Sequence, residues 1–520
     1  MADTKKKQER EELHRAIWAI ADELRGRVSG IHFMNYVLST MFYRYISEHI
    51  ANYINENEVK AGNVNFDYSQ ISDIEAEMTR GDLVKEIGFF ILPSELFCNV
   101  RAKAKDDNNL NETIEKVFRN IEESAKGTES EQNFSGLFDD FDVNSKTNLG
   151  ETVNERNRKL LKLLDGIANM NLGNIKNHDI DVFGDAYEYL LSKYASNAGQ
   201  SGGEFFTPAD VSELLTRLGT VGKEKINKVY DPACGSGSLL LKAVKVLGKD
   251  NIDGFFGQES NPTTYNLCRI NMFLHDIGFH KFDIKCGDTL ISPAHKDDGP
   301  FDLIVSNPPY SIEWEGDNNP LLINDARFSP ASVLAPRGYA DMAFIMHSLY
   351  LLSSHGAAAI VCFPGIMYRR GAEQKIRKYL IDNNFIDCII QLPSNLFFGT
   401  PIGTCIMVLK KCKENNKTFF INASNECIKA TNNNKLTQSN IKKIVETFAN
   451  KNEEQYFSHL ATQDEIVRNN YNLSISNYVQ AKDTREKINI VEINAKIAEI
   501  VKNEQKLRSE IDTFIKEIEK

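Results

Sequence analysis

The motif Asn307-Pro308-Pro309-Tyr310 carries residue types that could activate an amino group conjugated to a purine ring. Such an amine is a poor nucleophile because its lone pair is delocalised into the ring. The Asn307 side-chain carbonyl and the Pro308 backbone carbonyl can each accept one N–H, which draws the nitrogen towards tetrahedral geometry. The Tyr310 ring can stack on the base and face the developing positive charge. The motif therefore predicts attack by a ring-conjugated amine, the alternative being a rigid turn whose prolines only end a strand.

A second segment, residues 231–238 with the sequence DPACGSGS, could hold a nucleotide-like ligand. It follows an apolar strand and leads into a helix, and Gly235 and Gly237 let the backbone approach a ligand closely. Leu240 stands where the dinucleotide-binding fingerprint needs a third glycine, and the Gly-Lys-Ser/Thr of a phosphate-binding loop is absent. NAD and ATP are therefore disfavoured as ligands.

Two acidic residues follow the next two predicted strands. Glu259 comes 22 residues after Gly237, where a carboxylate can hydrogen-bond both ribose hydroxyls of an adenosine. Asp288 follows the third strand, where it could accept a hydrogen bond from an adenine amino group. Either acid alone could be a solvated turn residue or a cap. Together with Asp231, at three successive strand ends, they favour an adenosyl ligand.

From about residue 180 onward, strands alternate with helices, which predicts an α/β fold with a parallel, doubly wound sheet. The predicted strands are residues 228–231, 254–259, 283–286, 303–306, 357–363 and 386–392. The predicted helices include residues 237–246, 261–275, 340–353 and 373–382. Residues 404–410 and 418–423 are predicted to form an antiparallel hairpin that closes the edge of the sheet.

Helical patterns flank this α/β segment. Apolar residues recur at spacings of three and four near the amino terminus, and residues 1–165 are predicted to be an all-helical domain. Near the carboxyl terminus the same spacings form a heptad seam of about four repeats, which either packs on another protein's helix or docks on the chain's own amino-terminal domain. The seam residues are Ile490, Ile493, Ile497, Ile500, Leu507, Ile511, Phe514 and Ile518. We therefore predict three parts: 1–165, 166–475 (catalytic) and 476–520 (subunit contact).

The composition is that of a folded protein: 42% of the 520 residues are hydrophobic and 26% are charged. The nine cysteines are odd in number and form no CxxC pair, so we predict neither a disulfide framework nor a metal site, and a reducing cytoplasmic location. Residues 5–12 are highly charged and no apolar run approaches about 18 residues, so we expect neither a secretory signal nor a membrane span. Because the net charge is -11, binding to nucleic acid would need a local basic face or a partner.

The two motifs, preceded by Gly202-Gly203-Glu204-Phe205-Phe206-Thr207-Pro208, resemble those of amino-group DNA methyltransferases of the gamma arrangement. The closest resemblance is to the modification (methylation) subunit of Type I restriction-modification systems. It extends over the helical domain, the catalytic domain, the segment YNLSISNYV at residues 471–479 and the terminal helix. The family's fold is a Rossmann-like methyltransferase domain with an all-helical amino-terminal domain. The resemblance implies methyl transfer from S-adenosyl-L-methionine to N6 of an adenine flipped out of double-stranded DNA.

The resemblance also implies roles for individual residues. Asn307, Pro308, Pro309 and Tyr310 would contact the target base and are the predicted catalytic residues. Residues 204–208 would cover the methionine end of the cofactor, residues 231–238 would cradle it, and the acids at 259 and 288 would hold its ribose and adenine. The predicted cofactor-binding residues are thus Glu204, Phe205, Phe206, Thr207, Pro208, Asp231, Ala233, Gly235, Ser236, Gly237, Ser238, Glu259, Asp288 and Thr289.

A flipped adenine needs a second wall, and Phe397 or Phe398 could stack opposite Tyr310, unless both are core aromatics. Residues 311–339 are long and polar, so they are either a disordered insertion or a loop that orders over the substrate. We favour the loop, with Arg327 and Arg337 as DNA phosphate contacts.

No recognition domain, helicase motif or nuclease motif is evident in the sequence. The resemblance implies that a specificity subunit, bound through the terminal helix and the amino-terminal domain, reads the DNA, that a restriction subunit cleaves it, and that each modification complex holds two copies of this chain. Two other readings stay open. NPPY also occurs in methyltransferases that act on protein glutamine or on guanine in RNA, and the chain could be a non-catalytic scaffold.

Overall fold

The computed structural model describes Arg15 and residues 30–170, 182–198, 207–397, 400–430, 433–480 and 490–519. Four predicted site residues, Glu204, Phe205, Phe206 and Phe398, lie outside the described residues.

A nine-stranded mixed sheet forms the centre of the described α/β part, in the order β3-β2-β1-β4-β5-β7-β6-β8-β11. Strands β1 to β5 are parallel, while β7 runs antiparallel to both β5 and β6. β9 and β10 form a separate two-stranded ribbon. The strands are β1 Ile226–Asp231, β2 Ile252–Glu259, β3 Phe282–Cys286, β4 Phe301–Ser306, β5 Leu352–Cys362, β6 Ile386–Gln391, β7 Cys405–Lys410, β8 Thr418–Asn422, β9 Ile428–Lys429, β10 Asn434–Lys435 and β11 Ser458–Ala461.

The six strands predicted from the α/β pattern are all present, but the predicted hairpin is wrong. β7 and β8 are strands, yet they do not pair with each other. β7 is inserted between β5 and β6, and β8 pairs in parallel with β6. β7 is buried at five of its six positions, as expected of a continuous apolar run in the middle of a sheet. The connection between β7 and β8 therefore passes across β6 instead of making a tight turn.

Helices cover the sheet and build the amino-terminal part. The four helices predicted between the strands are confirmed, at Ser238–Leu247, Pro262–Leu274, Asp341–Leu351 and Ala372–Asp382. The helices are α1 Gly30–Lys60, α2 Asp73–Glu77, α3 Arg80–Ile87, α4 Phe97–Lys103, α5 Leu110–Ser124, α6 Glu131–Phe134, α7 Val153–Asn169, α8 Val182–Ala198, α9 Ala209–Gly219, α10 Ser238–Leu247, α11 Pro262–Leu274, α12 Asp341–Leu351, α13 Ala372–Asp382, α14 Gln438–Asn450, α15 Gln463–Arg468 and α16 Ile490–Ile518.

The helical part and the sheet share one hydrophobic core, in a compact unit that extends to Val479. The ring of Phe42 on α1 lies 5.8 Å from that of Phe273 on α11. Arg269 of α11 donates hydrogen bonds of 2.8 and 2.9 Å to the carbonyls of Gln132 and Ser135. The helical part therefore packs directly against the α/β part, with no break in the core near residue 165. The three-part division stays a prediction.

The second unit, residues 480–520, contains α16. Every predicted seam residue on this helix is exposed, from Ile493 at 43% to Ile518 at 83%. No helix of the described chain is long and apolar enough to cross a membrane.

Residues 311–339 pack as an ordered loop containing three short 3-10 helices, Gly316–Asn318, Pro320–Asn324 and Ser329–Ala331. The rings of Trp314 and Phe328 meet edge to face at 5.4 Å, and the Trp314 indole donates to the carbonyl of Pro336 at 3.1 Å. Leu322 and Leu334 are buried in the same cluster. The loop, which connects β4 to the helix Asp341–Leu351, is therefore anchored by apolar side chains that pack into the core on one face of the sheet.

Candidate active site

Four neighbouring parallel strands end at one edge of the sheet, and the predicted site residues lie at or just after those ends. Asp231 ends β1, Glu259 ends β2, Asp288 follows β3 and Asn307 follows β4. Ligands of doubly wound sheets bind at this edge. A cleft of about 370 Å³ opens here, lined among others by Ala233, Glu259, Asp288, Asn307, Pro309 and Trp314. The structure thus brings the glycine motif, both acids and NPPY to one cavity.

The glycine turn after β1 needs its glycines for conformation and for space. Gly235 and Gly237 have φ values of +53° and +81°, in the left-handed region that favours glycine. A Cβ at position 237 would lie 2.8 Å from Sγ of Cys268. Glu259 spans the two strand ends, because its Oε2 accepts a 3.0 Å hydrogen bond from the Gly235 backbone N–H. The turn and the acid on β2 are therefore held as one unit.

Asp231 is fully buried beneath this turn. Its Oδ1 accepts hydrogen bonds from the Ala233 N–H at 3.0 Å and the Ser306 hydroxyl at 2.8 Å. Its Oδ2 is buried and has no hydrogen-bond partner within the described part of the chain. Burial raises the pKa of Asp231 to about 7, since a charged carboxylate is costly in an apolar environment. The site therefore contains an unsatisfied carboxyl oxygen.

The remaining predicted cofactor residues surround the turn. The hydroxyls of Ser236 and Ser238 lie 3.0 Å apart, and buried Thr289 donates to the Pro232 carbonyl at 2.6 Å. Asp288 is exposed, and its Oδ1 accepts from the Leu290 N–H at 2.8 Å, so it caps the turn after β3 while facing the cleft. Thr207, Pro208 and Ser238 line an adjoining hollow of about 590 Å³.

The Asn307 amide is hydrogen-bonded at both ends. Its Oδ1 accepts from the Tyr310 hydroxyl, and its Nδ2 donates to Oγ1 of Thr207 at 3.2 Å. Asn307 and Tyr310 are half-buried and Pro308 is buried. Burial raises the pKa of Tyr310 well above its ordinary value, so the phenol stays protonated and can donate at neutral pH. A carbonyl oxygen has two lone pairs, and Asn307 therefore keeps one for a substrate amine.

Phe397 lies beside Tyr310 but not parallel to it. The ring centroids are 6.3 Å apart and the planes meet at 87°, with Phe397 only 3% exposed. This is the edge-to-face contact of a packed aromatic pair. The prediction that a phenylalanine stacks opposite Tyr310 across a flipped base stays untested by this geometry.

The predicted phosphate contact by Arg327 is wrong in this structure. The side chain is 1% exposed, and all five N–H donors are used. It donates to both carboxylate oxygens of Asp325, to the carbonyls of Thr289 and Leu290, and to Nδ1 of His347. Burial lowers the pKa of His347 to about 3, which keeps that imidazole neutral and able to accept. Arg327 therefore anchors the loop to the strand-end turn.

Arg337, the other predicted phosphate contact, is exposed. Its side chain is 57% exposed and lies 3.9 Å from Glu313, which lines the cleft. Its contact with DNA stays a prediction.

Sequence reasoning missed the residues that follow β5. Tyr368 is 53% exposed and Arg370 is exposed, while the Arg369 guanidinium carbon lies 3.9 Å from the centre of the Tyr339 ring. β5 pairs in parallel with β4, so the chain leaves β5 at the sheet edge that carries Asn307. Because the segment follows a predicted strand, its place after that strand could have been read from the sequence.

Two protein-family models match this chain. A family model described as N-6 DNA Methylase matches residues 178–487, and one described as HsdM N-terminal domain matches residues 13–167. A Type I restriction enzyme methylase subunit from Mycoplasma pneumoniae, MpnII, is 45% identical over 99% of this chain and 98% of its own length. The chain belongs to the methylase subunits of Type I restriction-modification systems. Another such methylase subunit, MjaVII from Methanocaldococcus jannaschii, is 32% identical over 70% of this chain and 64% of its own length.

A solved methylase subunit supports the architecture as well. The crystal structure of the type I restriction-modification system methyltransferase subunit from Streptococcus thermophilus is 33% identical, with a TM-score of 0.81. It covers 91% of this chain and 100% of its own length. The α/β methyltransferase fold with a helical amino-terminal part is therefore confirmed.

Proposed function

We propose that this methylase subunit transfers a methyl group from S-adenosyl-L-methionine to N6 of an adenine flipped out of double-stranded DNA. The observation that carries the proposal is the single cleft in which Asn307 and Pro309 face the acids at the ends of β2 and β3. A donor bound by those acids and an amine bound by NPPY would meet there.

The residues present fit an adenosyl cofactor with a cationic methionine end. The left-handed glycine turn removes side chains where a ligand approaches, and the unpartnered Oδ2 of Asp231 is a buried acceptor suited to a cation. Glu259 would hold the ribose hydroxyls and Asp288 the adenine. Residues 204–206, Pro208 and residues 231–238 would hold the methionine end, since the Thr207 hydroxyl is engaged by Asn307. When bound, S-adenosyl-L-methionine supplies a methyl group on a positively charged sulfur.

Asn307 and Pro308 would activate the adenine amine by accepting hydrogen bonds from its two N–H groups. The free lone pair of Asn307 Oδ1 takes one hydrogen, and the rigid prolines keep both carbonyls in place before the base arrives. Hydrogen bonding in this geometry localises the nitrogen lone pair, so no strong general base is needed. Tyr310 stacks on the base, and its protonated phenol holds Asn307. After transfer, the aminium loses its proton to water.

DNA binding would combine this cleft with basic side chains around it. Arg337 and Arg370 are exposed, and arginine is well suited to phosphate. Because the net charge is -11, a specificity subunit would supply the sequence reading and much of the attraction to DNA. The exposed seam of α16 is the proposed contact with that subunit. We place the complex, with two copies of this chain and a restriction subunit, in the cytoplasm.

The experiment is to express the chain with the product of a neighbouring gene, purify the complex and map modified bases in host DNA. The complex should convert adenine to N6-methyladenine within one recurring sequence, and the Asn307→Ala complex should not. Parallel assays use ribosomal RNA and a peptide-chain release factor as methyl acceptors. Methylation of either one in place of DNA, or of no acceptor at all, would contradict the proposal.

A further inference from the structure

We propose that Thr207 is a positioning residue: its hydroxyl fixes the Asn307 amide so that the carbonyl oxygen, and not the NH2 group, faces the target amine. The inference rests on the proposed function and adds a residue from outside NPPY to it. Thr207 was expected to cover the cofactor. Its hydroxyl is instead the acceptor for the Asn307 amide nitrogen.

The contact joins two rigid parts of the fold. Asn307 and Thr207 are 100 residues apart in sequence, and their Nδ2 and Oγ1 atoms are 3.2 Å apart. Thr207 is 8% exposed and leads directly into α9. The Pro208 carbonyl accepts from the Ser212 N–H at 2.9 Å, which is the first hydrogen bond of that helix. The Thr207 hydroxyl is therefore buried at the start of a helix and within hydrogen-bonding distance of the amide.

An asparagine amide needs such a partner because its two orientations have nearly the same shape. In one orientation Oδ1 can accept the amine hydrogen, whereas in the other an NH2 group opposes the substrate NH2 group. Hydroxyls can donate or accept, so a single hydroxyl does not decide between the two. A phenol is the better donor because its lone pair is delocalised into the ring, and an aliphatic hydroxyl is the better acceptor. Tyr310 donating to Oδ1 and Nδ2 donating to Thr207 is therefore the favoured pairing.

The same contact strengthens the acceptor. When an amide N–H donates, the amide polarises and its oxygen accepts more strongly. Donation from Nδ2 to Thr207 thus supports the hydrogen bond that Oδ1 makes to the substrate. Loss of the Thr207 hydroxyl should then lower the rate of methyl transfer, while the binding of the cofactor and of DNA should change little.

Thr207→Val and Thr207→Ser test this in the complex with the specificity subunit. Valine keeps the shape and loses the hydroxyl, whereas serine keeps the hydroxyl. We expect Thr207→Val to lower the single-turnover rate about tenfold, with the KM for DNA and the Kd for S-adenosyl-L-methionine within about twofold of wild type. Thr207→Ser should restore the rate to within about threefold. An unchanged rate in Thr207→Val, an equal loss in both variants, or a loss confined to cofactor affinity would overturn the inference.

A second measurement separates this inference from the proposed function. The unfolding midpoint is measured for wild type, Thr207→Val, Asn307→Ala and the double variant, without any methyl acceptor. If the side chains interact, Thr207→Val should lower the midpoint in the wild-type background and much less in the Asn307→Ala background. Coupling in a wild-type complex that methylates no DNA would defeat the proposed function alone. Additive midpoints in a complex that does methylate adenine would defeat this inference alone.

Discussion

Raising the pH from about 6 to about 8 should tighten the binding of S-adenosyl-L-methionine about tenfold, because Asp231 ionises over this range. The carboxyl is buried, one of its oxygens has no partner within the described structure, and its pKa is about 7. It is therefore about one-tenth ionised at the lower pH and about nine-tenths ionised at the higher. If the ionised form alone pairs with the ligand's cation, the Kd falls by the ratio of these fractions.

Isothermal titration of the ligand into wild type and Asp231→Asn tests this prediction. Wild type should show the tenfold change, and the variant, which cannot ionise, should bind more weakly with no trend between the two pH values. A Kd for wild type that does not change with pH, or the same trend in both proteins, would refute the assignment of Asp231 to a cation.

The free protein should show the opposite dependence in its stability. Asp231 has a higher pKa in the folded protein than in the unfolded chain. Its stabilising contribution to the free energy of unfolding is therefore complete below about pH 4, the pKa of an aspartate in an unfolded chain. The contribution is lost as the pH rises through about 7. Asp231→Asn should therefore lose less stability than wild type over this interval, as measured by urea unfolding.

Three further predictions follow from the glycine turn, the cleft rim and the terminal helix. Gly237→Ala should lower the free energy of unfolding by about 1 to 3 kcal/mol. The loss should exceed that of Gly222→Ala, because both glycines have positive φ but a Cβ at Gly222 would have nothing within 4 Å. Equal losses in urea unfolding would argue against the Cys268 contact. Arg337→Ala should weaken duplex binding equally for all DNA sequences and reduce the slope of log affinity against log salt concentration by about 1. Arg119→Ala, an exposed control on α5, should do neither. A normal slope in Arg337→Ala would rule out the phosphate contact. Leu507→Asp, in the exposed seam of α16, should prevent co-purification of the specificity subunit and leave the unfolding midpoint unchanged; normal recovery of the complex would place the contact elsewhere.

The strand-end arrangement could be predicted from the sequence because each clue is local. Each apolar run ends in a residue with chemistry, as at Asp231, Glu259 and Asn307, and parallel strands place their carboxyl ends at one edge of a sheet. The order of the late strands could not be predicted in this way. Residues 405–410 and 418–422 have the composition of a hairpin, but strand pairing depends on which strands become neighbours in the sheet. No local sequence pattern indicates that β7 is inserted beside β5.

Predictions of individual side-chain roles were wrong or incomplete where contacts between distant parts of the sequence decide the role. In the sequence, Arg327 is a cation in a polar loop, but in the fold it is enclosed by carbonyls after β3 and by His347 on α12. The contact of Thr207 with Asn307 spans 100 residues, and no spacing rule indicates it. Burial and partner identity come from tertiary packing, which a motif does not encode.

Single-turnover methyl transfer by the Asn307→Ala complex tests most directly whether Asn307 activates the adenine amine. The rate should fall about a hundredfold or more, while the affinities for the donor and for duplex DNA stay within about threefold of wild type. A variant that transfers methyl groups at the wild-type rate would contradict the central claim, as would a variant whose whole defect is weaker donor binding.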